Sequence, residues 1–125
     1  MAWHRGELAD AEHLVREATV QWHRCGDRMG ACDGIELLGV LAAARERFPD
    51  ATRLLAAADA ARRPLRYLAP GFTANRGAAA RALSQARRIL GDSFTQAQKE
   101  GQGFTLDDAV AYAARKGSGR PPRSC

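Results

Sequence analysis

The residues in this chain best suited to bind a charged ligand are arginines between positions 53 and 88. Residues 51–91 hold eight arginines and one acidic residue, Asp59, so this segment carries +7, whereas the whole chain carries +5. A guanidinium group binds phosphate or carboxylate oxygens through paired hydrogen bonds. The candidate contacts with nucleic acid or with an acidic partner are Arg62, Arg63, Arg66, Arg81, Arg87 and Arg88.

The rest of the chain alternates in charge with this basic segment. Residues 1–50 carry −3, residues 92–114 carry −3, and the last eleven residues carry +4. The basic segment could bind nucleic acid. The acidic segments could equally neutralise it within the protein, and we favour this second interpretation. Aromatic residues hardly interleave with the arginines, so stacking on single-stranded nucleic acid is not expected.

Histidines are the other residues that could carry chemistry, and their spacing is unfavourable for it. His4, His13 and His23 lie nine and ten residues apart, so they do not share a helix face at metal-ligand spacing, and no paired zinc motif occurs. No serine lies in a nucleophile elbow, and the histidines have no evident acid or nucleophile partner. The sequence therefore predicts no catalytic residue, no metal ligand and no cofactor, and a protein that is not an enzyme.

The predicted location is the cytoplasm. Residues 1–25 are charged throughout and contain no apolar signal-peptide core, and no apolar run approaches the roughly 18 residues of a membrane span. Cys25, Cys32 and Cys125 are an odd number without a disulfide framework, which is typical of reduced thiols. The pattern favours a protein that is not associated with a membrane.

The element that must position these side chains is a helical hairpin over residues 35–61. Apolar residues recur at spacings of three and four, which indicates two helices that bury one stripe each. The stripes are Ile35, Leu38, Leu41 and Ala42 in the first helix and Ala51, Leu54, Leu55, Ala58 and Ala61 in the second. Phe48-Pro49-Asp50 separates them, because the residue before proline avoids helical geometry and proline suits a helix start.

This hairpin resembles a tetratricopeptide repeat. Leu38-Gly39 matches the Leu-Gly pair of that motif, Ala51 matches its first alanine, and Pro64 lies near its closing proline. Both aromatic positions of the motif are replaced, one by Ala42 and the other by Leu55. We expect Gly39 to face Ala51 and Ala58, so that the two backbones approach closely. The alternative is an alanine-rich helical hairpin outside that repeat family.

An earlier helix precedes the hairpin and supplies a second candidate site. Its apolar stripe indicates the second helix of an earlier repeat whose first helix is nearly absent from the sequence. A truncated repeat leaves an apolar face open, which could bind a protein partner or a second copy of the chain. The candidate residues for this face are Leu8, Leu14, Val15 and Trp22.

The predicted fold is all-α, with about six helices. Tetratricopeptide-like hairpins stacked right-handedly occupy residues 6–63, a loop spans 63–73, and a helical cap covers 74–116. These parts form one domain over residues 1–116, and a flexible basic linker follows at 117–125. Within the cap, Thr105 and Asp108 have the spacing of a capping box.

The C-terminal half also resembles the helical-repeat region of large actinobacterial LuxR-family transcriptional regulators. Upstream, the run Arg53-Leu54-Leu55-Ala56-Ala57-Ala58 is similar to a segment those proteins carry before a proline-rich loop. The other matching pieces are Leu90-Gly91, Phe94, Glu100-Gly101, Leu106-Asp107-Asp108-Ala109 and Tyr112-Ala113. The resemblance covers roughly residues 6–116.

This resemblance implies only the repeat part of such a regulator. The sequence has no Gly-rich phosphate loop, and the ten residues after Arg115 are too few for the DNA-binding helix-turn-helix domain. No nucleotide-binding or DNA-contacting residue of the family is therefore transferred to this chain. We expect a non-catalytic protein-interaction or signal-sensing segment, in which DNA contact belongs to a domain outside this chain. The alternative is direct nucleic-acid binding by the arginine-rich segment 53–88.

Overall fold

A computed structural model describes residues 5–65 and 76–115, and in these ranges the chain is all-helical without strands. The prediction of six helices is confirmed. They are α1 (Arg5–Arg24), α2 (Arg28–Ala44), α3 (Phe48–Arg62), α4 (Arg76–Leu90), α5 (Asp92–Gln102) and α6 (Leu106–Arg115). The start of the predicted loop forms a short 3₁₀ turn, Arg63–Leu65, while the rest of it up to residue 73 and the linker 117–125 lie outside the described residues.

The α2–α3 hairpin lies at the centre of the fold, as its sequence pattern predicts. Pro49 occupies the first turn of α3, and the connection reverses direction at Glu46, whose φ is +63°. The helices approach closely at Gly39, where a Cβ atom would lie 2.7 Å from Cγ of Leu55. Close approach at this glycine is therefore confirmed, and its nearest neighbour is Leu55, which shares a face of α3 with Ala51 and Ala58.

Each side of the hairpin carries its own apolar core. On one side α1 and α6 pack on it, and the fully buried residues there include Ile35, Leu54 and Val110. On the other side α4 and α5 pack on it around Phe48, Ala86 and Phe94. Both helices of the hairpin contribute to both cores, because their alanine-rich faces let neighbours approach from two directions.

The helix boundaries follow the local chemistry of the sequence. The side chain of Asp27 accepts a hydrogen bond from the backbone N–H of Gly30 at 2.8 Å and so caps α2. Thr105 and Asp108 exchange two bonds of 3.0 Å between side chain and backbone, which confirms the capping box at the start of α6. Gly26 and Gly91 have positive φ angles and end α1 and α4.

The glycines of Gly101-Gln102-Gly103 predict a helix break in the sequence, but Gly101 is not part of one. It lies inside α5, which continues to Gln102, and it is buried against α3. A Cβ atom at this position would overlap the backbone carbonyl oxygen of Arg53 and would lie 2.9 Å from Cβ of Ala56. The residue is small because the backbones of α3 and α5 meet there. A local sequence pattern does not distinguish such a glycine from one that ends a helix.

The C-terminal helix returns to the start of the chain. α6 contacts α1, α2 and α3, and His23 Nε2 lies 2.6 Å from Oδ1 of Asp107 across the contact between α1 and α6. Cys32 is buried with a free thiol, whereas Cys25 is disulfide-bonded, so the expectation of three reduced thiols is wrong. None of the described helices is both long enough and apolar enough to cross a membrane.

Candidate functional site

The structure separates the four residues of the predicted apolar face on α1. Leu8 is buried, with 4% of its surface exposed, and Val15 packs against the core formed with α6. Leu14 and Trp22 are 65% and 40% exposed. Leu8 and Val15 therefore serve the core, and the accessible part of the predicted face consists of Leu14 and Trp22.

Leu14 and Trp22 share the outer surface of α1 with acidic residues. Glu7 and Asp10 are exposed and precede Leu14 by seven and four residues, spacings that place all three on one side of a helix. Trp22 follows Leu14 by two turns, and one edge of its indole packs near Gly30 at the start of α2. We call Glu7, Asp10, Leu14 and Trp22 the α1 surface.

Arg62 is the clearest departure from the predicted basic surface. Only 6% of it is exposed, because its guanidinium is enclosed between α2 and α3. Its Nη1 donates to Oε2 of Glu36 and its Nη2 donates to Oδ1 of Asp33, both at 2.8 Å. Burial opposes the charged form, but the bonds and charges of Glu36 and Asp33 outweigh it and raise the pKa of Arg62. This arginine binds acidic groups of its own chain.

The charge of Arg63 is balanced by a neighbouring acidic group. Arg63 is exposed, and its Nη2 donates to Oδ2 of Asp59 at 2.9 Å, one helical turn earlier. Arg66 lies outside the described residues. Neutralisation by an acidic segment therefore describes Arg62, whereas the acidic partner of Arg63 belongs to the basic segment itself.

The remaining three predicted arginines lie together on α4 and differ from these two. Arg81, Arg87 and Arg88 are exposed, and within the described ranges none of them forms an ion pair. Arg87 lies over the ring of Phe94, with its Cζ atom 5.1 Å from the ring centroid. Arg81 and Arg88 are seven residues apart and line a shallow groove with Ser84 and Gln85.

Ile89 adds an apolar group to the exposed part of α4. It is 56% exposed and directly follows Arg88. It also follows Arg81 by eight residues, the same interval that separates Trp22 from Leu14 on α1. We call Arg81, Arg87, Arg88 and Ile89 the α4 surface.

An ionic cluster around a buried carboxylate, which sequence patterns did not indicate, joins α1 to the turn of the hairpin. Glu12 is 4% exposed, and its Oε2 lies 3.3 Å from Nη2 of Arg16, 3.3 Å from Nη1 of Arg45 and 3.5 Å from Nη1 of Arg47. Arg16 also donates from Nε to the backbone oxygen of Ala113 on α6 at 2.9 Å. We call Glu12 with Arg16, Arg45 and Arg47 the Glu12 cluster.

The Glu12 cluster continues through Asp50 to Tyr112 on α6. Arg47 donates to Oδ2 of Asp50 at 2.9 Å, and the Tyr112 hydroxyl donates to Oδ1 of Asp50. Nη1 of Arg53 donates to the same hydroxyl at 3.3 Å. Burial first, and then the bond to Asp50, raise the pKa of Tyr112, so the phenol stays protonated. These bonds fix α3 and α6 relative to each other.

The described residues contain no group of three His, Cys, Asp or Glu side chains that could hold a metal ion. With the geometry established, comparison with known proteins adds no further assignment: no family model, no curated protein and no solved structure matches the chain. The two outer surfaces, on α1 and α4, are the strongest candidates for binding.

Proposed function

We propose that the chain is a non-catalytic interaction and signal-sensing segment that associates with further copies of itself through the α1 and α4 surfaces. It would form part of the tetratricopeptide-like repeat region of a LuxR-family-like transcriptional regulator and act in the cytoplasm. In this proposal the hairpins stack right-handedly, and the contact between copies extends that stack. DNA is bound by another domain of the regulator.

One observation carries the proposal. The three large apolar side chains that are exposed among the described residues are Leu14, Trp22 and Ile89, and they belong only to these two surfaces. The α1 surface places Leu14 one to two turns from two acidic groups, and the α4 surface places Ile89 next to Arg88. Opposite charge around apolar groups is the arrangement by which two surfaces select each other and exclude like surfaces.

The contact would join different surfaces of two copies, so one copy always leaves a surface open for the next. Such head-to-tail contacts form rings or filaments according to their rotation. Burial of Leu14 and Ile89 would supply most of the affinity, because fully burying one such side chain contributes roughly 1.5–3 kcal/mol. The charged groups would set the orientation and the association rate.

Two complementary charge reversals test this association. One variant carries Glu7→Lys with Asp10→Lys, and the other carries Arg81→Glu with Arg88→Glu; all four side chains are exposed. We expect each variant alone to be monomeric in sedimentation velocity, because its α1 and α4 surfaces then carry charge of the same sign and repel each other. Mixing the two variants restores opposite charges and hence association.

The control variant is Ala111→Asp, which adds a charge at an exposed position of α6. It should associate as the wild type does. A wild-type chain that remains monomeric at all accessible concentrations would contradict the proposal, and so would reversed variants that associate without mixing.

A second candidate function is nucleic-acid binding by the α4 surface. The observation that favours it is the lack of ion pairs to Arg81, Arg87 and Arg88 among the described residues, which leaves three cations available for phosphates. Fluorescence anisotropy with random duplex DNA at low and near-physiological salt measures this binding. Arg81→Gln with Arg88→Gln should weaken it and flatten its salt dependence, whereas Lys99→Gln on α5 should change it less. Binding that is equal in both variants would exclude α4 as the contact.

A further inference from the structure

The charge of α4 differs from that of the other helices. Among the six described helices, α4 is the one that contains no aspartate or glutamate, and it holds four arginines. Arginines elsewhere, such as Arg16, Arg47 and Arg62, form ion pairs with acidic groups of the same chain. A helix whose charged groups all have one sign favours an anionic partner outside the chain.

Two of these arginines lie in one shallow groove on the outside of α4. Arg81 and Arg88 line it together with Ser84 and Gln85 and the small side chain of Ala80. The four polar side chains are exposed, and within the described ranges none of them forms a hydrogen bond or an ion pair. They therefore present two guanidiniums, one hydroxyl and one amide, all of which can donate to an anion. We call this lining the α4 groove.

The spacing of the two cations suits an elongated anion. Seven residues correspond to about 10.5 Å along a helix, and positions seven apart share nearly the same face. Nη1 of Arg81 lies 3.5 Å from the position that a Cβ atom would take at Gly77, so this side chain folds back toward the start of α4. Long side chains on a helix generally lean in this direction. With Arg88 leaning the same way, the two cations stay about two turns apart, and Ser84 lies between them.

Phosphate groups joined in a short line match this arrangement. Each end of such an anion accepts paired hydrogen bonds from one guanidinium, and its middle accepts from the Ser84 hydroxyl. A single phosphate would reach only one of the two guanidiniums. Duplex DNA fits less well, because proteins that bind it commonly contact about 6–10 phosphates, whereas the described part of α4 exposes only Arg81, Arg87 and Arg88.

We propose that the α4 groove binds a short linear oligophosphate, and that this binding releases one copy of the chain from the next. The inference rests on the proposed function, since Glu7 and Asp10 of a second copy would use the same two arginines. A ligand shifts an equilibrium toward the state that it binds better. An anion that binds only the unoccupied groove therefore favours the monomer, and it defines the chemical class of the signal that the segment senses.

Binding is measured by titrating the full chain with inorganic triphosphate at constant ionic strength and recording ¹H–¹⁵N NMR spectra. We expect saturable shifts of the backbone signals of Arg81, Ser84, Gln85 and Arg88. Cyclic trimetaphosphate has the same number of phosphoryl groups but closes them into a compact ring, and orthophosphate has a single group. Each should bind at least roughly tenfold more weakly than the linear triphosphate.

Two double variants separate the groove from overall charge. Arg81→Gln with Arg88→Gln removes both cations of the groove. The matched control, Arg28→Gln with Arg115→Gln, removes the same amount of charge from exposed positions on α2 and α6, outside the groove lining. Because all four side chains are exposed, both variants should fold, and the dispersion of their spectra checks this.

The effect on association is measured by sedimentation velocity of the wild type with and without triphosphate. Triphosphate should shift the chain toward monomer, and NaCl at equal ionic strength should do so less. Shifts that saturate in the wild type and in the control variant and vanish in the groove variant, together with this dissociation, would support the proposal.

Three results would overturn the site: no saturable shift, equal shifts in the two double variants, or equal binding of the linear and cyclic anions. Random duplex DNA that binds more tightly than triphosphate at near-physiological salt would assign the groove to nucleic acid and would also overturn it. Binding without dissociation would overturn the release step. A wild type that is monomeric without triphosphate would overturn the self-association and the release step, whereas the NMR titration would still decide whether the groove binds an oligophosphate.

Discussion

Each end of the α2–α3 hairpin buries a charged side chain, but the two ends neutralise that charge with different partners. At the turn, the Glu12 cluster places one buried carboxylate among three arginines. At the open end, Arg62 is a single buried cation between two acids, Glu36 and Asp33. In both places one carboxylate oxygen, Oε1 of Glu12 or Oε1 of Glu36, has no partner among the described residues.

The space beside the two carboxylates differs far more than their bonding. The cavity next to Glu12 has a volume of about 10 Å³, while the cavity next to Glu36 has about 250 Å³. About 10–15 Å³ of such volume is needed for one water molecule, so the first site is a packing defect of at most one solvent molecule. Both unpartnered oxygens are sealed from solvent, so even the larger space beside Glu36 does not reach its Oε1.

The largest difference between the two ends should appear when each central carboxylate is neutralised. Glu12→Gln removes the counter-charge that three arginines share, and of these only Arg47 keeps a second acidic partner, Asp50. Glu36→Gln leaves Arg62 paired with Asp33 and next to a cavity that admits water. We expect free energies of unfolding to fall by about 3 kcal/mol and about 1–2 kcal/mol, since removing one partner of a buried pair costs more when the other charge stays uncompensated. Urea denaturation measures both free energies of unfolding, and equal losses in the two variants would contradict the expected difference between the two ends.

Tyr112 offers a pH-dependent test of the tightly packed end. Because the fold raises the pKa of Tyr112 above its ordinary 10.0, the folded state holds the phenolic proton more tightly than the unfolded state. Its contribution is fully present below pH 10 and is lost as pH rises through the raised pKa. Tyr112→Phe should lower the free energy of unfolding by about 1–2 kcal/mol at neutral pH.

The same variant should lose less stability than the wild type between neutral pH and pH 11, so the two curves converge. Denaturant titrations at a series of pH values measure this convergence. Curves that stay parallel above pH 10 would show that the pKa of Tyr112 is the same in the folded and unfolded states. A measurement at neutral pH alone would not distinguish the loss of the Tyr112 hydroxyl bonds from a loss of packing around the ring.

The sequence predicted the helices because their signals are local. Apolar spacing located the hairpin, Pro49 marked the start of α3, and the capping box at Thr105 marked the start of α6. Gly101 was misjudged because a glycine that ends a helix and a glycine that admits a neighbouring backbone look the same in one sequence. Only the approach of α5 to Arg53 distinguishes the two roles.

The candidate sites were less accessible to prediction, because they depend on which helices meet. Arg62 was assigned to a basic surface, and it is buried because Glu36 and Asp33 come from a helix 26 and 29 residues earlier. Leu8 and Val15 share the stripe of Leu14, and only the docking of neighbouring helices decides which of these residues is covered. The cavity beside Glu36 requires α3, α4 and α5 together, so no single stretch of sequence encodes it.

The smallest effect expected from the comparison concerns the outer member of the open end. The Asp33 side chain is 50% exposed, so Asp33→Asn should lower the free energy of unfolding by only about 0.5 kcal/mol, after allowance for solvent screening. In 1 M NaCl, where the Debye length is about 3 Å, this loss should shrink further. The loss from Glu12→Gln should persist in the same salt, since its partners are packed around a carboxylate shielded from solvent. Urea denaturation at low and high salt measures both losses in the free energy of unfolding. If the loss from Asp33→Asn did not change with salt, the two ends of the hairpin would not differ in their salt dependence.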